Sequence, residues 1–206
     1  LVTYSKIGTS RWPTIGYAVD MQKTSSGVEC VGVSEGRVQS YLTQESGSAA
    51  PVQSLRFDAG IQRMSGLRCS LGSSFQEENF RSGKGVILSH RFWKNHFGGD
   101  TSVLGRTLKV DNVSHTIQGV LAENVEIPLS PEVDVYMPFQ TLSPVEMEGT
   151  TATILMRLRE NATPETVLPG FNAAALALAQ KPDQVRHPGL QSLRRAIADD
   201  ADWRFF

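Results

Sequence analysis

The amino-acid sequence predicts an α+β fold with two lobes. An outer α/β sandwich lobe is expected from both ends of the chain, residues 1–80 and 150–206, and a smaller mixed α+β lobe from the inserted residues 81–149. The first observation behind this prediction is a strand-then-helix pattern that occurs at the start of the chain and returns in its last third. The second is a different middle segment, where a short apolar run, a helix signal and tight-turn residues follow one another.

The first third is predicted to consist mainly of strands. Gly8, Thr9 and Ser10 end the first strand and offer a helix cap. Pro13 is tolerated in the first helical turn, because its missing N–H would have no partner there. The predicted elements are a strand at Leu1–Lys6, a helix from about Trp12 to Lys23, strands at Val28–Val33, Val38–Thr43 and Val52–Phe57, and a loop at Gln44–Ala50.

The middle segment carries the clearest helix signal. Ser89 follows the apolar strand Val86–Leu88 and can cap a helix over His90–Phe97. Gly98 and Gly99 end that helix, since glycine tolerates the left-handed conformation. Before this strand, residues 81–85 are predicted to form a turn.

A hairpin follows this helix in the prediction. Asp111 and Asn112 accept positive φ in tight turns. They connect the predicted strands Leu104–Val110 and Val113–Val120, and a further strand is expected at Val133–Met137.

The last third returns to a strand followed by a helix. Thr163 is the predicted cap of this helix, with proline and an acidic residue in the first turn. Pro169 and Gly170 are expected to kink the helix or delay its start. The predicted elements are a strand at Ala152–Arg159, a helix from Pro164 to about Gln180 and a strand at Leu190–Leu193.

Composition limits the classes of function. Of 206 residues, 40% are hydrophobic and 20% charged, as in globular proteins with a buried core. Twenty Lys and Arg against 21 Asp and Glu give a net charge of −1, so we expect no nucleic-acid partner. The longest apolar run, Ala173–Ala179, is far below the roughly 20 residues of a membrane span. We find no signal-peptide pattern, and we interpret both chain ends as lying inside a longer protein.

The two cysteines, Cys30 and Cys69, are too few for a disulfide scaffold. Neither belongs to a Cys-x-x-Cys pair or lies near a histidine at ligand spacing. We expect free thiols, with a Cys30–Cys69 bridge in an oxidising compartment as the alternative.

The residues that could carry chemistry have simpler structural explanations, so we predict no catalytic, metal or cofactor site. The histidines lack zinc-ligand spacing. Ser89 and His90, with Asp100 nearby, resemble a catalytic triad only by sequence adjacency, which is no support for contact in space. A phosphate-loop pattern near residue 83 fails, because Glu78 and Gly85 occupy two of its required positions.

Seven segments of the chain together form a specific pattern: Gly66–Phe75, Gly85–Asp100, Val103–Asp111, Thr116–Val120, Asp134–Pro138, Met156–Glu160 and Thr163–Gln180. With these segments the sequence resembles the MacB-like periplasmic core domain of ABC-transporter permeases, of the MacB/FtsX-type permease family. Asn112 departs from the family pattern, where glycine is usual, and Pro169-Gly170 interrupts a normally regular helix.

The resemblance implies a non-catalytic extracytoplasmic domain that couples ATPase-driven movement to periplasmic events such as export or efflux. The implied partners are a sister permease domain in a dimer, a cytoplasmic ATPase acting through membrane helices, and a periplasmic adaptor or cargo. The parent protein would lie in the bacterial inner membrane, with this domain in the periplasm. The alternative is a periplasmic module that captures a peptide or lipid-like molecule between its lobes; a hydrolase would need a catalytic constellation.

The family motif itself predicts a structural role. Trp93 and Phe97 are four residues apart, so they lie on one helix face and should pack against the hairpin. Trp93 is therefore expected to be largely buried.

Overall fold

The computed structural model describes residues 2–6, 26–43, 47–125, 127, 130–139, 152–178 and 191–192. The helix predicted at Trp12–Lys23 lies outside the described residues. The strands in chain order are β1 (Val2–Lys6), β2 (Val28–Glu35), β3 (Val38–Thr43), β4 (Ala49–Phe57), β5 (Cys69–Gly72), β6 (Val86–Leu88), β7 (Thr107–Val110), β8 (Val113–Leu121), β9 (Val135–Pro138), β10 (Ala152–Leu158) and β11 (Gln191–Ser192). The helices are α1 (Ala59–Ser65), α2 (Glu77–Ser82), α3 (His90–Phe97) and α4 (Pro164–Leu178), with a 3-10 turn at Thr101–Val103.

The chain divides into two compact units. The first contains residues 1–35 and 142–206, and the second contains residues 36–141. No helix among the described residues is long and apolar enough to cross a bilayer.

The first unit contains an antiparallel sheet in the order β11–β1–β10–β2. Val31 and Val33 of β2 are buried, and so are Ile154 and Met156 of β10, which β2 faces in the ladder. Leu155 is buried as well, so β10 is covered on both faces rather than on one.

Helix α4 of the first unit begins at Pro164. The Thr166 N–H donates to Thr163 Oγ1 at 3.4 Å, as the predicted cap requires. Pro169 lies inside the helix, so the expected delay of the helix start is wrong, while the expected kink stays a prediction. The first-turn acid and the cap supply enough local stabilisation for the helix to begin before the proline.

The second unit is built on a closed ring of six strands. The pairings run β4–β3–β7–β8–β6–β9 and return from β9 to β4. The pairings β6–β8 and β4–β9 are parallel and the others antiparallel. One apolar core fills this ring and extends to α3. Its buried members are Leu42, Val52, Val86, Leu88, Phe92, Trp93, Val103, Leu108, Val110, Ile117, Val120, Val135 and Met137.

Local signals place the turn of the predicted hairpin as expected, although β7 begins at Thr107 rather than at Leu104. Asp111 and Asn112 have φ of 48° and 66°, and Val110 pairs with Val113 across them. Both central residues of a two-residue type I′ turn need positive φ, which Asp and Asn accept.

Strand β5 pairs with β8 outside the ring, and two glycines allow the close approach. A Cβ on Gly119 would lie 2.6 Å from the carbonyl oxygen of Ser73. Gly72 has φ of 71°, and a Cβ there would lie 2.1 Å from the carbonyl oxygen of Gln118. The backbones therefore meet at a distance that other residues would not permit.

Three elements between residues 58 and 82 had no sequence prediction: α1, β5 and α2. Helix α1 has an Asp58 cap, whose carboxylate accepts from the Ile61 N–H, and ends at left-handed Gly66. Helix α2 ends at left-handed Gly83, so the turn predicted at 81–85 begins two residues later. Strand β4 also begins at Ala49, inside the predicted loop.

The unit boundaries differ from those of the predicted lobes. Residues 36–80 were grouped with the chain ends, but they belong to the compact unit of the middle segment. The reason is that β3 and β4 complete the ring through β7 and β9. The two compact units are nearly equal in number of residues. The functional division into an outer and an inserted lobe stays a prediction.

Candidate functional site

The candidate site is the α3 motif, which consists of α3, the residues that cap it and the acidic residues that contact it. Ser89 Oγ accepts from the Phe92 N–H at 3.1 Å, and Gly98 ends the helix with φ of 62°. Both ends are thus satisfied by the residues that the sequence predicted.

Trp93 holds this motif to the ring. Its side chain is 8% exposed and belongs to the apolar core, which confirms the predicted burial. Its indole N–H donates to the carbonyl oxygen of Asp100 at 2.8 Å. Lys94 Nζ lies 4.7 Å from the centre of the Trp93 ring, on the solvent side of the helix.

Asp100 organises the turn that leaves α3. Its carboxylate accepts from the Ser102 N–H, the Ser102 hydroxyl and Arg106 Nη2, each at 2.8 Å. The backbone and hydroxyl hydrogen bonds from Ser102, followed by the Arg106 charge, lower the pKa of Asp100 from its usual value. The group is exposed, so its function here is to shape the turn rather than to support a buried charge.

Asp134 connects three elements of the second unit. Its Oδ1 accepts from Arg91 Nη2 of α3 at 2.8 Å, and its Oδ2 accepts from the Gln53 N–H of β4 at 2.9 Å. Its carbonyl oxygen accepts from the Ser89 N–H at the cap of α3, at 2.9 Å. Only 16% of the Asp134 side chain is exposed, so α3, β4 and the entry to β9 share one largely buried acceptor.

A groove of about 720 Å³ lies between α1 and α2 of the second unit. Buried Phe75 and Phe80 form its floor, and they meet edge to face with ring centres 5.7 Å apart. Arg81 at its rim is paired with Glu77 and Glu78 at 2.9 Å and 3.1 Å. The full lining is Ala59, Gln62, Arg63, Phe75, Gln76, Glu77, Phe80 and Arg81.

The residues considered for catalysis have structural contacts instead. The Ser89 hydroxyl is engaged as the helix cap, and the His90 ring packs edge to face on Trp93 at 5.5 Å. His96 stacks on Phe92 at 4.9 Å. The main chain of Lys84, in the rejected phosphate-loop segment, accepts from the Asn79 side chain at 3.0 Å.

Cys30 and Cys69 are both free thiols in the structure, the first buried and the second half-buried. Burial raises the pKa of Cys69, against a smaller opposing contribution from the Ser74 hydroxyl. Within the described part of the chain, no group of three or more His, Cys, Asp or Glu side chains is arranged to hold a metal ion.

The role of Asp134 was not predictable from sequence spacing. The acidic residue stood in a segment that carried the family resemblance, but its partners lie 43 and 81 residues away along the chain. The buried His115 was likewise assigned only to a strand. The alternating pattern of β8 was the available signal, because His115 is two residues before the apolar Ile117 and therefore lies on the same face of the strand.

Comparison with protein families gives a match to the MacB-like periplasmic core domain over residues 2–173. A search of curated protein sequences finds no match. The chain therefore belongs to the family of MacB-like periplasmic core domains, which are domains of ABC-transporter permeases.

Solved structures share the fold at low sequence identity. The periplasmic region of MacB from Actinobacillus actinomycetemcomitans superposes with a TM-score of 0.70 at 12% identity, covering 97% of this chain and 91% of that one. The extracellular domain of the noncanonic ABC-type transporter YknZ from Gram-positive bacteria gives 0.65 at 16% identity, covering 93% and 98%. A domain named as part of a Porphyromonas gingivalis permease gives 0.68 at 19% identity, covering 93% and 88%. The mixed α+β class predicted from the sequence is confirmed by this likeness.

Proposed function

We propose that the chain is the non-catalytic extracytoplasmic domain of its permease and that it transmits ATPase-driven movement to events such as export or efflux. The observation that carries this proposal is that the side chains of the α3 motif make their contacts within the second unit. Trp93, Asp100 and Asp134 each join separate elements of the second unit. A domain that transmits movement needs such stiffness, whereas a catalytic site needs polar groups free to meet a substrate.

The proposal includes three partners and a location. The parent protein lies in the bacterial inner membrane, with this domain in the periplasm. It works with a sister permease domain in a dimer, with a cytoplasmic ATPase through membrane helices, and with a periplasmic adaptor or cargo. The pairing of β1 with β11 supports this arrangement, because it makes Thr3 and Ser192 neighbours in the sheet although they are far apart along the chain.

Cross-linking of sister domains in the full-length dimer tests this coupling. Single cysteines at the exposed positions Lys84, Asn95 and Lys109, in a background without Cys30 and Cys69, provide attachment points for a reducible cross-linker. We expect transport and ATP turnover to stop in cross-linked dimers and to recover on reduction, which makes each variant its own control. Transport that continues in fully cross-linked dimers would contradict the coupling role.

The alternative function is a periplasmic module that binds a peptide or a lipid-like molecule. The observation that favours it is the groove between α1 and α2, where apolar rings lie beside arginine side chains; this groove belongs to the second unit. A ligand that binds only the folded chain raises the melting temperature as its concentration grows. A panel of peptides and lipids tests this alternative. A rise in melting temperature that is lost in the Arg63→Ala variant supports the alternative, and no rise with any member of the panel supports the coupling role.

A further inference from the structure

A buried histidine lies inside the ring of the second unit without a hydrogen-bond partner. His115 of β8 is opposite Leu108 of β7 and shares the face of Ile117, both of which belong to the core. The His115 side chain is 4% exposed, and neither ring nitrogen makes a hydrogen bond. Buried polar groups are almost always hydrogen-bonded, so this imidazole is an exception.

Arg56 is the charged group that acts on His115. It lies on β4, four residues after the core residue Val52 and so on the same face of the strand, but Arg56 itself is exposed to solvent. Burial lowers the pKa of His115 from its ordinary value of about 6.5, and the Arg56 charge lowers it further. The backbone of Gly85 makes a smaller opposing contribution to the pKa, although it does not meet hydrogen-bond geometry with either ring nitrogen.

The other elements around β8 bring uncharged groups to His115 within the described part of the chain. Leu108 faces it from β7, and the backbone of Gly85 lies before β6. Lys84 is exposed to solvent. The Cys69 thiol of β5 lies further along β8, beside Gly119. Protonation would therefore place a second positive charge near Arg56 with no anion to offset it there.

The ring has one short seam near this histidine. Among the described residues, β3 and β7 pair through Leu42 and Val110 alone. Two further bonds support the seam: the Asp111 N–H donates to the Tyr41 carbonyl oxygen, and the Tyr41 N–H donates to Asp111 Oδ1, both at 2.8 Å. The β7–β8 hairpin carries His115. It pairs with β3 through one residue, whereas it pairs with β5 and with β6 through three residues each.

We propose that protonation of His115 opens the ring at the seam between β3 and β7, which makes the second unit an acid-sensitive element of the domain. The proton comes from solvent, and no covalent bond changes. An imidazolium at the buried position of His115 is unfavourable, because it loses its hydration and lies near the positive charge of the exposed Arg56. The hairpin relieves this by leaving β3, because β3 and β7 pair through fewer residues than any other two neighbours in the described ring.

The sign of the pH dependence follows from the lowered pKa. The unfolded chain takes up a proton near pH 6.5, whereas the folded chain resists it, so folding is fully favourable above that value. As the pH falls further, the unfolding constant should rise by up to about tenfold per pH unit until the pKa of the folded state is reached. Chemical denaturation of the 206-residue chain between about pH 7.5 and pH 5.5 measures this rise.

Three variants separate His115 from general acid effects. His115→Gln should remove the acid-dependent rise in the unfolding constant. Arg56→Gln keeps the histidine and should reduce this rise. Exposed His96→Gln is the matched control and should behave as the unmodified chain does. If His115→Gln does not fold, the Arg56→Gln result and an NMR titration of the His115 ring show whether His115 causes the acid dependence. An ordinary His115 pKa, or the same acid dependence in the Arg56 variant and the control, would overturn the proposal.

Amide hydrogen exchange with peptide resolution tests the position of the opening. After correction for intrinsic rates, acid should accelerate exchange in β7 and in the β3 residues at the seam, while β2 and β10 of the first unit change less. The acceleration should be absent in His115→Gln or reduced in Arg56→Gln. A uniform acceleration over both units would contradict an opening at this seam.

Discussion

The indole N–H of Trp93 lies 2.8 Å from the carbonyl oxygen of Asp100, so the largest side chain of α3 is tied to the turn that follows the helix. The same ring packs in the core of the strand ring, and the Asp100 carboxylate arranges the turn around Ser102 and Arg106. One side chain therefore joins the helix, the turn and the core.

Replacing Trp93 by alanine should strongly destabilise the second unit. The Trp93→Ala change creates a cavity and leaves the Asp100 carbonyl without its donor, at a cost of about 3 kcal/mol or more in the free energy of unfolding. Trp93→Phe should cost less, since it keeps most of the apolar contact and loses the hydrogen bond. Denaturant titration of both variants measures the difference. A Trp93→Ala chain as stable as the unmodified one would show that α3 is not part of the core.

Asp134 should contribute more to stability than its ion-pair partner Arg91. Asp134→Ala leaves the partly buried Gln53 N–H without an acceptor, which should cost about 1–3 kcal/mol in the free energy of unfolding. Arg91→Ala removes a partner whose side chain is 56% exposed, and exposed ion pairs contribute roughly 0–1 kcal/mol. Equal losses in the two variants would mean that the ion pair, rather than the link to β4, stabilises this junction.

Gly119 should not tolerate a methyl group. In Gly119→Ala the new Cβ would meet the Ser73 carbonyl oxygen at 2.6 Å and the Cys69 sulfur at 2.9 Å, so we expect a loss of about 1–3 kcal/mol from overpacking between β5 and β8. Gly36→Ala is the matched control, because nothing lies within 4 Å of its Cβ position. Thermal unfolding compares the two variants; equal melting temperatures would disagree with the close approach of β5 to β8.

Both cysteines should be labelled by an alkylating reagent after denaturation without a reductant. In the native chain labelling should be slow, because Cys30 is buried and burial raises the pKa of the half-buried Cys69 thiol. Mass spectrometry counts the added groups. An unlabelled denatured chain, lighter by two hydrogens, would show a disulfide instead.

Elements with complete local signals were predicted well. The Ser89 cap and Gly98 define α3 at both ends, and Asp111 with Asn112 defines the hairpin between β7 and β8. These signals act within a few residues, so they can be recognised before any tertiary contact is known. Helix α1 has the same kind of signals in Asp58 and Gly66, but it is only seven residues long and was missed.

The sequence alone determined the composition class, the capped helix, the hairpin and the resemblance to a permease domain, because each depends on short-range chemistry or on a continuous motif. Tertiary structure decided the closure of the ring, where β4 pairs in parallel with β9 although Ser54 and Val135 are far apart along the chain. It also decided that residues 36–80 join the middle unit, and that the exposed Arg56 lies near enough to the buried His115 for its charge to lower the pKa of that ring. Strand partners are selected by backbone hydrogen bonds and by packing over long separations, which local preferences do not encode.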